Sequence, residues 1–154
     1  MKPVTWSEMA ESMSNDPTLR GLSDEQVRAV IEALALTIHA DNKVAPLEVA
    51  GFNHLLFDLP WLEDRHELLR SHVPRAAQKA RAANDGLAGE VYAADIADRL
   101  GSQQVRERVF VMAASLAHVD MRIDPSENKA LGWLIAAFGI DEPTRDEVLE
   151  RLKR

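Results

Sequence analysis

The same ten-residue pattern occurs twice in this chain, 79 positions apart. It reads His39-Ala-Asp41-Asn-Lys43-Val44-Ala-Pro46-Leu-Glu48 in the first copy and His118-Val-Asp120-Met-Arg122-Ile123-Asp-Pro125-Ser-Glu127 in the second. In each, an apolar run with helical spacing ends at an Asp, a cation and a β-branched residue follow, and a Pro with a Glu two positions later opens a new apolar run. A helix, a tight connection and a helix are therefore written twice. The match extends outward at the same offset. Val30 and Ile31 correspond to Val109 and Phe110, and Phe52, Leu55, Leu56 and Leu59 to Leu131, Leu134, Ile135 and Phe138. Such a repeat restricts the fold to two like halves, approximately 23–59 and 102–138, related by a pseudo-twofold rotation and burying one shared core.

The remaining signals are also helical. Thr5 with Glu8 forms a capping box before a short helix carrying Trp6 and Met9, and Ser23 with Gln26 caps a second helix. In that second helix Val27, Val30, Ile31, Leu34, Ala35 and Ile38 follow an amphipathic stripe. Pro46 suits the first turn of the next helix, which ends before Pro60. Trp61 to Ser71 and Pro74 to Ala83 read as two helices, the second stopped by Asn84-Asp85-Gly86, and Gly89 to Leu100 as another, closed by Gly101. Gln103 to Val119 is apolar almost all round at Val109 to Ala114, which predicts a central position. Pro125 to Phe138 repeats the partner helix, Gly139 stops it, and Asp141 leads into a last helix with Val148, Leu149 and Leu152 inward. Trp61 and Trp133 lie in apolar runs and are expected in the core. No segment alternates as a strand. The expectation is an all-α, single-domain bundle over 1–154, of about seven to eight helices.

Composition narrows the function. The 154 residues are enough for a core that needs no disulfide or metal to fold. With 25 acidic and 18 basic residues the net charge is −7, which excludes general nucleic-acid binding and makes cations better candidate ligands than anions. There is no cysteine, so thiolate catalysis and zinc–thiolate sites are excluded. The opening Met1-Lys-Pro-Val-Thr-Trp6 is no signal peptide, and the longest apolar stretches are too short to span a bilayer. A cytoplasmic, non-membrane-spanning protein is expected.

The chemistry concentrates in the repeated motif. Asp41 and Asp120 each sit where a helix ends, and a carboxylate there opposes the helix dipole by about 0.3 to 1 kcal/mol. Each charge is compensated either by loop N–H groups or by a cation. Glu48 and Glu127 stand at the following helix starts, where a carboxylate is favourable in itself; Asp124-Pro125-Ser126-Glu127 is also a complete helix cap. Brought together by a twofold, Asp41, Glu48, Asp120 and Glu127 would repel one another unless a divalent cation joined them. The Asp-to-Glu spacing is too short for an EF-hand loop. His39 and His118 precede the two Asp residues by two positions and are further candidate ligands, although a His in a last helical turn is also favoured by the dipole. His66 and His72, with Glu63, Asp64 and Glu67, match no metal pattern and are expected at the surface. Arg65, Arg70, Arg75, Lys79 and Arg81 make the middle of the chain basic, as a solvated helix face or as a docking face for an acidic partner or anionic headgroups. No Gly-rich phosphate loop, nucleophile elbow or H-E-x-x-H helix is present, so no catalytic residue is assigned.

The residues Ala40-Asp41-Asn-Lys43-Val44 through Glu48 and Val119-Asp120-Met-Arg122-Ile123 through Glu127, with their flanking helices, resemble the TerB-like family associated with tellurite resistance and stress response in bacteria. The similarity covers Ser23 to Phe138. It implies an all-helical fold of two related halves and a divalent cation, of unspecified identity, held by Asp41, Glu48, Asp120 and Glu127. The family usually has Gly after the Asp, where this chain has Asn42 and Met121. The resulting expectation is a non-enzymatic, cytoplasmic metal-binding protein that acts through a protein partner, free or membrane-associated. The competing readings are an interaction module whose acidic motifs are only helix caps, and a metal-dependent hydrolase built on the same carboxylates.

Overall fold

Asp24–His39 (α2) is the helix on which four of the others are stacked. The chain is described by a computed structural model over residues 17–39, 50, 52–53, 56, 65–83, 86–119 and 129–153. The regular elements among these residues are all helices: a single turn Pro17–Arg20 (α1), then α2, His66–Ala82 (α3), Gly86–Leu100 (α4), Gln103–Val119 (α5), Lys129–Phe138 (α6) and Glu142–Lys153 (α7). None is long and apolar enough to cross a membrane. The proposed helix after Thr5, and Trp61, lie outside the described residues; of the helix proposed after Pro46, residues 50, 52, 53 and 56 are described and are helical, with Phe52 and Leu56 buried.

Helix α2 packs against α3, α4, α5 and α6, and every residue from Ala29 to Ile38 is buried. This corrects the amphipathic reading, which assigned it one buried stripe. The side opposite that stripe carries Ala29, Ala33, Leu36 and Thr37, small or apolar residues that let a second layer approach closely. Helix α5 is nearly as enclosed, through Val109, Phe110, Met112, Ala113, Ala114 and Leu116, as its composition predicts. The largest fully buried side chains include Phe110, Phe138, Ile31, Leu34 and Leu69, each contributing roughly 1.5 to 3 kcal/mol. Thr37 and Ser115 are buried too, but their hydroxyls donate to the carbonyls of Ala33 and Val111, one turn back.

The helix ends follow their sequence signals. Ser23 and Gln26 form the reciprocal capping box, with Ser23 N–H on Gln26 Oε1 at 2.9 Å and Gln26 N–H on Ser23 Oγ at 3.2 Å. Ser102 Oγ accepts from Val105 N–H at 3.2 Å, and Asp141 Oδ1 from Thr144 N–H at 2.9 Å. Gly101 and Gly139 terminate α4 and α6 with φ of 85° and 65°, the left-handed region that glycine enters without strain. Behind Gly139, Ile140 N–H reaches back to Ile135 O and the Ile140 side chain is buried, as in a Schellman ending.

Two boundaries differ from the sequence reading. The break at 72–73 is absent, because α3 runs through Pro74 as one helix. Proline removes one N–H and costs about 3 kcal/mol in a helix interior. Here Arg70, Ser71, Pro74 and Arg75 are exposed, so the ring lies on the solvent side, while Leu69, His72, Ala76 and Ala80 keep the buried face continuous. Helix α4 starts at Gly86, so Gly89 lies inside it rather than at its start. Gly89 is there for space. A Cβ at that position would stand 2.4 to 2.5 Å from ring carbons of Trp133 on α6, and the partly buried Trp133 packs against the core through this contact.

Gly89→Ala is therefore expected to destabilise the protein. In an open helix the change gains up to about 1 kcal/mol, but the ring clash costs roughly 1 to 3 kcal/mol, so the net effect in urea denaturation should be a loss. The double variant Gly89→Ala with Trp133→Leu should lose less than the sum of the two single changes.

Candidate functional site

A charged side chain sits at the middle of the most enclosed helix. Glu32 has no exposed surface, and the helix around it is apolar, so its carboxylate must be satisfied by side chains arriving from other elements. Helix α4 supplies two of them. Arg99 donates to both oxygens, Nη1 to Oε2 at 2.7 Å and Nη2 to Oε1 at 2.8 Å, and Tyr92 donates its hydroxyl to Oε1 at 2.6 Å. Helix α3 supplies the rest, His72 Nε2 on Oε2 at 2.9 Å and Lys79 Nζ on Oε1 at 3.3 Å. The spacing is heptad-like, His72 and Lys79 being seven apart on α3 and Tyr92 and Arg99 seven apart on α4, so each pair lies on one side of its helix.

The network continues outward. Arg99 also contacts Asp95 at 3.0 Å and Glu25 at 3.2 Å, and Glu25 pairs with Arg28 at 3.2 Å. At the start of α2, Arg65 donates to Leu22 O and pairs with Asp24, and Gln26 donates to Leu100 O at 2.9 Å. These contacts fix helix directions: α3 runs alongside α2 in the same sense, and α4 runs against it. Burial alone would push the Glu32 carboxyl up, but the hydrogen bonds from Arg99, Tyr92 and His72 outweigh it and hold the pKa at about 2. The same contacts raise the Tyr92 hydroxyl, mainly through burial and then through Glu32, and raise Arg99 through its bonds to Glu32. A carboxylate this saturated is no general base. The arrangement is an ion-pair lock joining α2, α3 and α4.

This lock was missed in the sequence, where Glu32 was assigned no role. The available signal was the company it keeps, Val30-Ile31-Glu32-Ala33-Leu34-Ala35-Leu36, a run in which every other residue is apolar. It also corrects two expectations about the middle segment. His72 is buried against Glu32 and not at the surface; Arg65 pairs with the exposed Asp24 and the partly exposed Lys79 reaches in to Glu32, while Arg70, Arg75 and Arg81 face solvent.

Of the metal candidates, Asp41, Glu48, Asp120 and Glu127 lie outside the described residues, as does the His118 side chain. Among the described residues no group of three or more acidic or His side chains converges. His39 is the last residue of α2, half-buried, beside a pocket of about 180 Å³ lined by Ala35, Ile38, Phe52, Asn53, Val73 and Ala77. Burial, and then the nearby Arg81 charge, hold its imidazole below the ordinary histidine range, so its uncharged form dominates at neutral pH. That is the form in which an imidazole binds a metal or accepts a hydrogen bond. No family model matches the chain, and neither a curated protein nor a solved structure matches it significantly.

The lock sets an acid limit. Glu32 titrates at about 2 in the folded chain against 4.5 when unperturbed, so its contribution is full above pH 4.5 and is lost as pH falls toward 2. The loss amounts to about 3 kcal/mol. Urea midpoints measured from pH 5 to pH 2 should fall in the parent and flatten in Glu32→Gln. At neutral pH, Arg99→Ala should cost about 3 to 5 kcal/mol, because it strands a buried charge.

Proposed function

We propose that this chain is a non-enzymatic, TerB-like cation-binding protein of the stress-response type, in which Asp41, Glu48, Asp120 and Glu127 hold one divalent cation between two related halves. The observation that carries the reading is the duplicated unit. Helices α2 and α5 begin 79 positions apart, at Asp24 and Gln103, and have 16 and 17 residues. Their caps, Ser23 and Ser102, are 79 apart as well, and each accepts the N–H three residues on. The two helices pack on each other, and Gln26 at the start of α2 bonds Leu100, just before the Ser102 cap of α5. Helices of nearly equal length that start side by side and pack together bring His39 and Val119, after which the two motifs continue in sequence, toward one end of the bundle. That supports convergence of two Asp and two Glu side chains, and four such anions need a cation between them. The uncharged His39 at the end of α2 suits a fifth position. In this reading the loaded motifs form a surface for a protein partner.

Thermal melts decide the point. With chelator, then with magnesium, calcium, manganese or zinc, the matching cation at 100-fold its dissociation constant should stabilise the parent by about 2.7 kcal/mol, roughly 5 to 10 °C in a chain of this size. The double change Asp41→Asn with Asp120→Asn should abolish the shift and leave the metal-free melt unchanged or higher, through relief of repulsion. No shift in the parent with any of these cations rejects the proposal, and a metal-free loss of about 0.5 to 2 kcal/mol in the double variant assigns the motifs to helix capping.

A further inference from the structure

Where the last turns of α2 lie beside α3, the packing leaves a gap. A pocket of about 180 Å³ opens there, walled among the described residues by Ala35, Ile38, Phe52, Val73 and Ala77, with His39 and Asn53 as its polar members. Ala35, Ile38 and Phe52 are buried and Val73 and Ala77 half-buried, so the cavity reaches from the core to the surface. Ala35 and Ala77 bring only methyl groups to its walls, which leaves the space open. An apolar cavity of roughly 150 Å³ is enough to hold benzene, whereas a water molecule needs about two to four polar partners to settle in one. Walls of this size and composition suit a single aromatic ring better than water.

The charge of the ligand is limited from two sides. Helix α2 ends at His39 and α3 at Ala82, and the two run in the same sense, so both turn their partial negative ends toward this pocket and oppose an anion. Arg81 follows Ala77 by four positions on α3, and helical side chains lean toward the N-terminus, which carries the exposed guanidinium along the ridge of Ala77 and opposes a cation. A neutral ligand remains. Of the two polar members, an uncharged imidazole has one nitrogen free to accept a hydrogen bond. We infer that the pocket is a binding site for an uncharged single-ring aromatic alcohol, a phenol, with its ring among Ile38, Phe52 and Val73 and its hydroxyl donating to the His39 imidazole. The inference needs no bound cation.

Proton NMR titration of the full chain with phenol, at pH 8 and with chelator present, tests this independently of any metal. Phenol should bind with a dissociation constant of about 1 mM or below, and its ring protons should show nuclear Overhauser effects to the methyls of Ile38, Val73 and Ala77. Benzoate and benzylamine should each bind at least about five-fold more weakly. Ala77→Leu, which fills the cavity from its half-buried wall, should weaken phenol at least about ten-fold, with circular dichroism to check that the variant folds. His39→Leu should weaken phenol by about five-fold or more and leave fluorobenzene, of similar shape but without the donor, unchanged or tighter. No saturation by about 20 mM phenol overturns the inference. So does phenol binding that Ala77→Leu leaves intact, equal affinity for either charged analogue, or an equal loss of phenol and fluorobenzene in His39→Leu.

Discussion

Glu32 is the constraint around which the described helices are arranged. An ionised carboxylate without partners in so apolar a setting would cost several kcal/mol, and its partners come from α3 and α4 at once. Arg99 meets it in the bidentate geometry that a planar guanidinium favours, and Tyr92 and His72 occupy the remaining approaches. Replacing the whole set by apolar residues of similar shape need not reduce stability. What the lock supplies is register. From Ala29 to Ile38 the other side chains are apolar or small, apart from Thr37, whose hydroxyl is satisfied within its own helix. Rotation of such a helix about its axis would change little in hydrophobic burial, and Glu32 is the side chain that makes one rotation far better than the others.

The lock also explains why the outer part of the network takes the form it does. Arg99 lies in the last turn of α4, where a cation is favoured by the dipole, and is shared between buried Glu32 and the more exposed Asp95 and Glu25. Those outer pairs are worth little individually in water. Their effect is to hold the guanidinium plane in place so that both of its nitrogens face Glu32. Gln26 and Arg106 finish the same helix end by donating to the carbonyls of Leu100 and Ala97, the second of which also accepts from Gly101 N–H.

Much of the fold was legible because its signals are local. Ser23 with Gln26, Gly101, Gly139 and Asp141 each act over three to five residues, and each marks the boundary where the structure has it. Pro74 misled because its cost is local while the continuity of Leu69, Ala76 and Ala80 against α2 is not. Gly89 is similar, since the ring that forbids a side chain there comes from Trp133, 44 positions away. The Glu32 lock was the least legible feature. Its partners lie 40 to 67 positions off, and no short motif records that His72, Tyr92 and Arg99 face one carboxylate. The acidic motifs show the reverse case: they are conspicuous in sequence through repetition, and their positions lie outside the described residues.

The two motif-bearing helices are supported by different physics. At the fixed offset, the counterpart of Glu32 is Val111, partly buried on α5 and packed against the core, so no charge stands at the equivalent place of the second helix. Its register rests on shape, through Phe110, Met112 and the packing of α6 and α7. Glu32 lies two helical turns before His39, so the point from which the first motif departs is fixed by hydrogen bonds with strict distances and angles. The point from which the second departs is fixed by apolar contacts, which tolerate small shifts at lower cost. A sequence repeat of the helix ends thus stands on two unlike foundations, one polar and directional, the other apolar and compliant. Equivalence of the motifs in sequence does not make their supports equivalent.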